Sequence, residues 1–401
     1  LDVREADILS HDLIVIGGGV IGCSVAYHAC LLGAKRVLLV ERRGLAEGTS
    51  AQSSGILRTH YSVPENVELA RRSLAAFTEF ADYLDDPEAD CGLALPGYLV
   101  VGRDDARGEA IRASLARQRS MGIEAIEVDA AQARAILPLL RTDDLAVFGY
   151  EPQAGFADPY LTATAFARAA RRLGAEIRTG ETVTGFLRTG SRITGVRTDR
   201  GEYAAATVVC AVNVWSNALL ERETGARVPL VAERHEVIAL EAEVPYTPAL
   251  PVLKDMASPS MIYARSYGGR QLLVSAGLEG AIAGPDDDQA PVPLDAVAEL
   301  GAELAERLPA FETAGVASTW TGLYDVTPDW NPVLGPLPGI DGLIVAFGFS
   351  GHGFKLSPAV GRLLAQAALG LPSDVSLAPY RYSRFDEGAL LVGRYGKGAV
   401  S

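Results

Sequence analysis

Two rhythms of apolar residues alternate along this chain. A solid apolar run at 13–16 gives way to glycines and a helix-compatible stretch, and a second apolar run at 36–40 ends on Glu41. Short apolar runs bounded by breakers predict buried strands. The stretch 65–86 instead places Val67, Leu69, Ala70, Leu74, Phe77, Phe80 and Leu84 at a largely helical spacing with a polar opposite side, which predicts a helix. Helices are also predicted over 106–121, 130–136, 159–173, 294–308 and 356–369, with Pro159 suited to a first turn. Strand-like runs fall at 97–101, 182–186, 193–198, 206–211, 235–240, 261–264, 272–275 and 342–347. With α/β units at both ends and a β-rich middle, the order predicts two interleaved domains.

The first sixty residues carry the sharpest chemistry. Gly17, Gly19 and Gly22 follow the first strand, and Glu41 stands 24 residues after Gly17 at the end of the second. Each has a task in a dinucleotide site: Gly17 permits the tight turn, Gly19 lets backbone approach a pyrophosphate, and Gly22 lets helix and strand pack closely. The helix start offers N–H groups and partial positive charge to phosphates, and Glu41 is placed for ribose hydroxyls. A plain glycine-rich turn would leave Glu41 unexplained.

Length and composition narrow the classes. A chain of 401 residues is long for one core. A net charge of −14 disfavours a nucleic-acid partner. Cys23, Cys30, Cys91 and Cys210 lack metal or redox spacing, so no metal is expected and a reducing, cytoplasmic setting fits. The polar opening predicts no signal peptide. The apolar stretch 13–34 is long enough to span a membrane, but its glycines and His28 suit a dinucleotide fold better, so no membrane span is expected. Lysine is scarce, with only Lys35, Lys254, Lys355 and Lys397. No second dinucleotide fingerprint is present, which argues against an NADPH-fed monooxygenase or a disulfide reductase. Electrons would come from the substrate itself.

Several blocks together resemble the flavin-dependent amine oxidases of the D-amino acid oxidase, glycine oxidase and sarcosine oxidase superfamily. They are DLIVIGGGVIGCSVAYHA, GTSAQSSGILRTHY, GFADPYLTATAFARAARRLGAEIRTGETVTGF and GLYDVTPDWNPVLGPLPGIDGLIVAFGFSGHGFKLSPAVG. The GFSGHGFK string is similar to that of the sarcosine oxidase branch. The resemblance implies an α/β fold with a Rossmann-like FAD-binding domain, built from 1–92, 150–228 and 319–386. It further implies a substrate domain with a mixed or antiparallel sheet from 93–149 and 229–318, with a tail from 387 to 401. It places Arg42, Thr49, Ser50, Ser54, Val183 and Phe354 around FAD, with Val183 at the adenine.

Gly348, Gly351 and Gly353 would let backbone approach a flat ring, and the helix behind them would aim its N-terminus at the flavin. By the same resemblance Arg58 and Lys355 anchor the substrate carboxylate and Tyr324 walls the cavity. Tyr61, His60 and His352 lie in strings beside the flavin. A histidine there serves as a hydrogen-bonding scaffold more readily than as a general base, because amine oxidation by hydride transfer needs only an uncharged amine.

Four positions depart from the family. Val212 and Asn213 replace a small Ala-Gly pair, Gly322 replaces the cysteine that tethers FAD, and Leu273 replaces the lysine that aids oxygen reduction. The expected activity is FAD-dependent oxidation of an amino acid C–N bond. The substrate taken first is a secondary amine such as sarcosine or another N-substituted glycine, with non-covalent FAD and O2 reduced to H2O2. The alternatives are a D-amino acid or 2-hydroxy-acid dehydrogenase with another acceptor, and a flavoprotein subunit of a larger complex. An oligomer is allowed.

Overall fold

In the computed structural model the described residues are 10–391, apart from 62, 228, 243–245, 247–248, 277–283, 287–290 and 374. Two large sheets organise them. The first runs in the order Val333–Pro336, Leu343–Phe347, Glu202–Cys210, His11–Ile16, Val37–Glu41, Glu176–Thr179. Its four central pairings are parallel, as the solid apolar runs require, since strands covered by helices bury both faces. A hairpin, Val183–Thr189 with Arg192–Thr198, joins through the long strand Glu202–Cys210.

The helix Val20–Leu31 packs against both Pro159–Arg172 and Gly353–Ala368. Its contact with the last helix is close because Gly361 has no side chain. A Cβ there would lie 2.0 Å from Ser24 Oγ. His28 is buried in this layer, its Nδ1 bonded to Ser24 O and its Nε2 to the Tyr83 hydroxyl, each at 2.7 Å. Burial drives its pKa down to about 3, so it is a neutral core histidine.

The second sheet runs Gly315–Val326, Val231–Glu241, Gln271–Ser275, Tyr263–Tyr267, Val252–Asp255, Tyr98–Gly102, Val147–Glu151, Ile126–Glu127. Only the pairing of Val252–Asp255 with Tyr98–Gly102 is parallel, so the sheet is mixed. Strand alternation divides its faces. Leu99, Val101, Ile238, Leu240, Leu253, Ala264, Leu272 and Val274 form a core with Leu300 and Leu304 of the helix Leu294–Arg307. Tyr98, Val252, Val237, Ala239 and Leu273 lie on the other face, among Ile56, Phe156, Tyr263 and Trp320. That second face looks toward the cofactor half, since Trp320 Nε1 donates to Gln52 O at 3.1 Å.

Several sequence expectations shift. The helix over 65–86 ends at Thr78, because Glu79 leaves helical geometry (φ −115, ψ 41) and Phe80–Tyr83 restarts. Phe77 and Phe80 thereby stack at 6.1 Å in the core. The last helix begins at Gly353 instead of 356, so Phe354 and Lys355 belong to its first turn. Met261 sits at φ 50, which delays the strand expected from 261 to Tyr263. Of the expected tail, Leu391 is held at both backbone groups, its N–H by Asp329 (3.0 Å) and its carbonyl by Asn331 (2.8 Å). Residues 392–401 lie outside the described ones.

Candidate functional site

The cofactor crevice is built by what its glycines omit. Gly17 has φ +105, and a Cβ there would lie 2.4 Å from Ala211 O. A Cβ on Gly22 would come within 1.9 Å of Gly17 O, which fixes how closely helix and strand pack. Gly19 precedes the helix and caps it with no side chain, leaving first-turn N–H groups facing the crevice; Val20 N donates to Ser50 Oγ at 3.0 Å. Glu41 ends its strand with its carboxylate accepting Gly18 N–H at 2.6 Å and Arg43 N–H at 2.8 Å.

One cavity runs from this end, at Gly19, Val20, Thr49, Ser50 and Asn213, to a second at Gly322, Tyr324, Gly351, Gly353 and Phe354. The substitution at 213 is geometrically mild: Asn213 takes φ +49, a left-handed conformation that asparagine tolerates better than most residues. Its side-chain oxygen is buried without a partner in the crevice, as expected where a polar ligand belongs. Ser53 lines this cavity, whereas Ser54 does not. Arg42 sits over the Trp215 ring at 4.4 Å and pairs with Asp286 at 2.9 Å, and Val183 opens its strand opposite Thr198.

At the far end the backbone is bent to let a ring approach. Gly348 (φ +73) would meet Thr327 at 2.2 Å, and Gly351 (φ +82) the Tyr324 ring at 2.3 Å, if either carried a Cβ. Asp325 holds this loop, its carboxylate accepting Gly348 N–H at 2.6 Å. Burial pushes the Asp325 pKa up to about 6 against those backbone bonds. The helix Gly353–Ala368 has no side-chain cap, so its first-turn N–H groups face the loop with the positive end of the dipole. His352, just before it, is buried edge-on to Tyr61 at 5.3 Å with neither ring nitrogen bonded. Burial and the nearby charges of Lys355 and Arg58 hold it neutral.

Arg58 and Lys355 do come together. Arg58 is 3% and Lys355 9% exposed, and burial followed by the charge of Arg58 depresses the Lys355 pKa well below the usual lysine range. Arg58 lies over the Tyr61 ring at 5.1 Å and donates to His60 O. Among the described residues neither cation forms an ion pair with a carboxylate side chain. The acid nearest them, Glu151, is committed elsewhere: it accepts Thr59 N–H (2.7 Å), the Thr59 hydroxyl (2.6 Å) and His60 Nδ1–H (3.1 Å). Burial raises the Glu151 pKa, but the bonds from His60 and Thr59 outweigh it and leave the carboxyl below its ordinary range.

Sequence reasoning missed Glu151, Asp325, Tyr98, Tyr263 and the role of Lys254. Lys254 Nζ lies 3.6 Å from the Tyr263 ring centroid and donates to Met261 O at 2.7 Å. A signal existed in the scarcity of lysine, since a buried-strand pattern around one of so few marks an unusual placement. Leu273 packs with Val237, Ala239 and Trp320 on the same sheet face. Tyr324 stacks on His235 at 3.8 Å and lines the long cavity.

A parallel α/β layer with a glycine-cleared crevice, opposed by a mixed sheet that carries the buried Lys254, is the frame of a flavoprotein oxidoreductase. Among the described residues no helix is long and apolar enough to cross a membrane and no cluster has metal-binding character. The family model described as FAD dependent oxidoreductase matches residues 12–367, and the chain belongs to that family, with FAD as its cofactor. It is 31% identical to the FAD-dependent oxidoreductase domain-containing protein 1 of Bos taurus, over 93% of this chain and 84% of the relative. It is 30% identical to the sarcosine oxidase subunit beta of an Arthrobacter species, over 98% and 95%. Among solved structures, L-proline dehydrogenase from P. horikoshii superposes with a TM-score of 0.86 at 25% identity, covering 94% of this chain and 98% of that one.

Proposed function

We propose that this protein oxidises the C–N bond of an amino acid that keeps its carboxylate free, with a secondary amine such as an N-substituted glycine as the first choice. The observation that carries this reading is the pair Arg58 and Lys355, two buried cations near the glycine loop at 348–353 that have no carboxylate side-chain partner among the described residues. A guanidinium offers two parallel donors to a carboxylate and the ammonium a third, in a site poor in water. Similarity to proteins named for sarcosine and L-proline, both secondary amines, supports the choice.

Bound FAD supplies the hydride acceptor for the carbon next to nitrogen. The chain's task is to present that carbon with the amine uncharged. Arg58 and Lys355 do both: they fix the carboxylate, and as neighbouring cations in a desolvated pocket they favour loss of the amine proton. No general base is then required, and His352 and His60, held neutral, serve as packing and hydrogen-bonding walls. The imine product hydrolyses in solvent. Gly322, which faces Gln52 with only ordinary contacts, offers no side chain for a covalent link, so FAD is held without one. Oxygen is the acceptor in this reading, giving H2O2, with the positive field of the pocket standing in for the lysine absent at Leu273. A panel of N-alkylglycines mixed anaerobically with the holoenzyme tests the reading. At least one should bleach the flavin, and a panel of D-amino and 2-hydroxy acids that bleaches it instead would replace it.

A further inference from the structure

We propose that the substituent on the substrate nitrogen ends in a second carboxylate, held by Lys254 in a lobe beside His60. The proposal rests on the C–N oxidation reading above. One substrate carboxylate accounts for Arg58 and Lys355, and Lys254 is left over. It is 9% exposed, and its recorded partners are the Met261 carbonyl and the Tyr263 phenol. The adjacent carboxylate, Asp255, is spent on Arg307 at 2.7 Å. An ammonium has three donors, so capacity remains for an anion.

The lobe is a real cavity. It lies between the sheet and the helix Ala106–Ser120, lined by Lys254, His60, Tyr98 and Gln118, with Arg107 at its exposed rim. Gln118 is 1% exposed. Its amide nitrogen donates to Tyr61 O at 3.0 Å, while its amide oxygen is buried without a partner. That oxygen is an acceptor, so it calls for a donor such as water, and the anion itself is left to the Lys254 ammonium. His60 connects the lobe to the carboxylate anchor, because it lines the lobe and its carbonyl accepts from Arg58.

Charge makes the same point. Arg58, Lys254 and Lys355 are cations, and Glu151 is engaged with Thr59 and His60. A monocarboxylate would leave a buried positive charge uncompensated, which is costly, whereas a dicarboxylate would neutralise it. Burial lowers the Lys254 pKa and the neighbouring Tyr263 phenol offsets part of that, and an arriving anion would favour the protonated form further. The class indicated is an N-carboxyalkyl amino acid.

The test uses the FAD-loaded protein and two unreactive thioethers, thiodiacetate as the dianion and (methylthio)acetate as the monoanion, titrated against the flavin spectrum. The dianion should bind at least about tenfold more tightly. In Lys254→Met that ratio should fall to about one, and in Lys254→Arg most of it should survive. Equal affinities in the wild type, or an unchanged ratio in Lys254→Met, would overturn the proposal, and the wild-type comparison stands even if the variant fails to fold. Anaerobic mixing with iminodiacetate and with N-methylglycine separates the two claims. A thioether preference with no flavin reduction by either amine would sustain the anion lobe while removing the C–N oxidation reading.

Discussion

The two walls of this cavity are made by opposite means. The cofactor wall works by subtraction: Gly17, Gly19 and Gly22 remove side chains so that backbone N–H groups and a helix dipole face the crevice. The wall proposed for the substrate works by addition, with Arg58, Lys254, Lys355, Tyr98 and Glu151 buried and Tyr263 half-buried among them. An unpaired backbone donor kept dry costs far less than a buried charge, so each buried cation leans more heavily on the rest of the fold. The contrast separates holding from choosing, because backbone recognises any pyrophosphate while placed charges recognise one arrangement of anions.

The largest effect expected is on the subtractive wall. Gly22→Ala puts a methyl 1.9 Å from Gly17 O, a backbone atom that cannot swing away. The purified variant should lack FAD absorbance, and full flavin occupancy would break the account of that wall. On the additive wall FAD should stay. Arg58→Ala and Lys355→Ala should each weaken substrate binding by ~1.5–3 kcal/mol, roughly 10–100-fold. The double variant should lose less than the sum, since both cations share one carboxylate. Strict additivity, read from anaerobic flavin reduction, would mean they act on separate groups.

Glu151→Gln sharpens the same wall at second hand. Its carboxylate holds Thr59 and His60, and His60 O receives Arg58. The amide keeps the shape but loses a charge-assisted acceptor, and about tenfold lower kcat/KM is expected, with FAD retained. If the KM for an N-alkylglycine and the rate of flavin reduction both hold at wild-type values, Glu151 only packs.

The smallest effect is an acid limb in stability. His28 is held down to about 3 and His235 to about 4, chiefly by burial; His60 and His352 are lowered in the same direction. Below 6.5 the unfolded chain binds protons that the folded chain refuses, so stability falls as pH falls. Asp325, raised to about 6, opposes this between about 6 and the ordinary aspartate value of 3.8, because there the folded state holds the extra proton. Four histidines outweigh one aspartate, and Tm should drop from pH 6.5 toward 4.5. His28→Gln should flatten that slope, and a Tm constant across the range would contradict the neutral buried histidines.

The same division explains what the sequence disclosed. The crevice was readable because its rule is local: strand, three glycines, helix and acid lie within one βαβ unit, and the strands His11–Ile16 and Val37–Glu41 came within a residue or two of expectation. Arg58, Lys355 and Tyr324 were reachable only through resemblance, since nothing in their spacing brings residue 58 near 355. Glu151 and Lys254 escaped because the strands Val147–Glu151 and Val252–Asp255 are short and flanked by loops, without an alternation long enough to detect. The strand Gly315–Val326 was hidden by its exposed first half of small and polar residues. The last helix was expected from 356 although Gly353 opens it, because a helix start depends on geometry that composition does not reveal.

The central claim is that two buried cations recognise a free carboxylate on an amine whose oxidation reduces the flavin. An acid and amide pair tests it most directly: N-methylglycine, or whichever N-alkylglycine proves best, against its carboxamide, each mixed anaerobically with the holoenzyme while the flavin absorbance is followed. The acid should bleach the flavin and the amide should do so at least about tenfold less efficiently, in keeping with the loss of charge-assisted bonds. Equal reduction by both would contradict the account, because Arg58 and Lys355 would then hold nothing that the reaction needs.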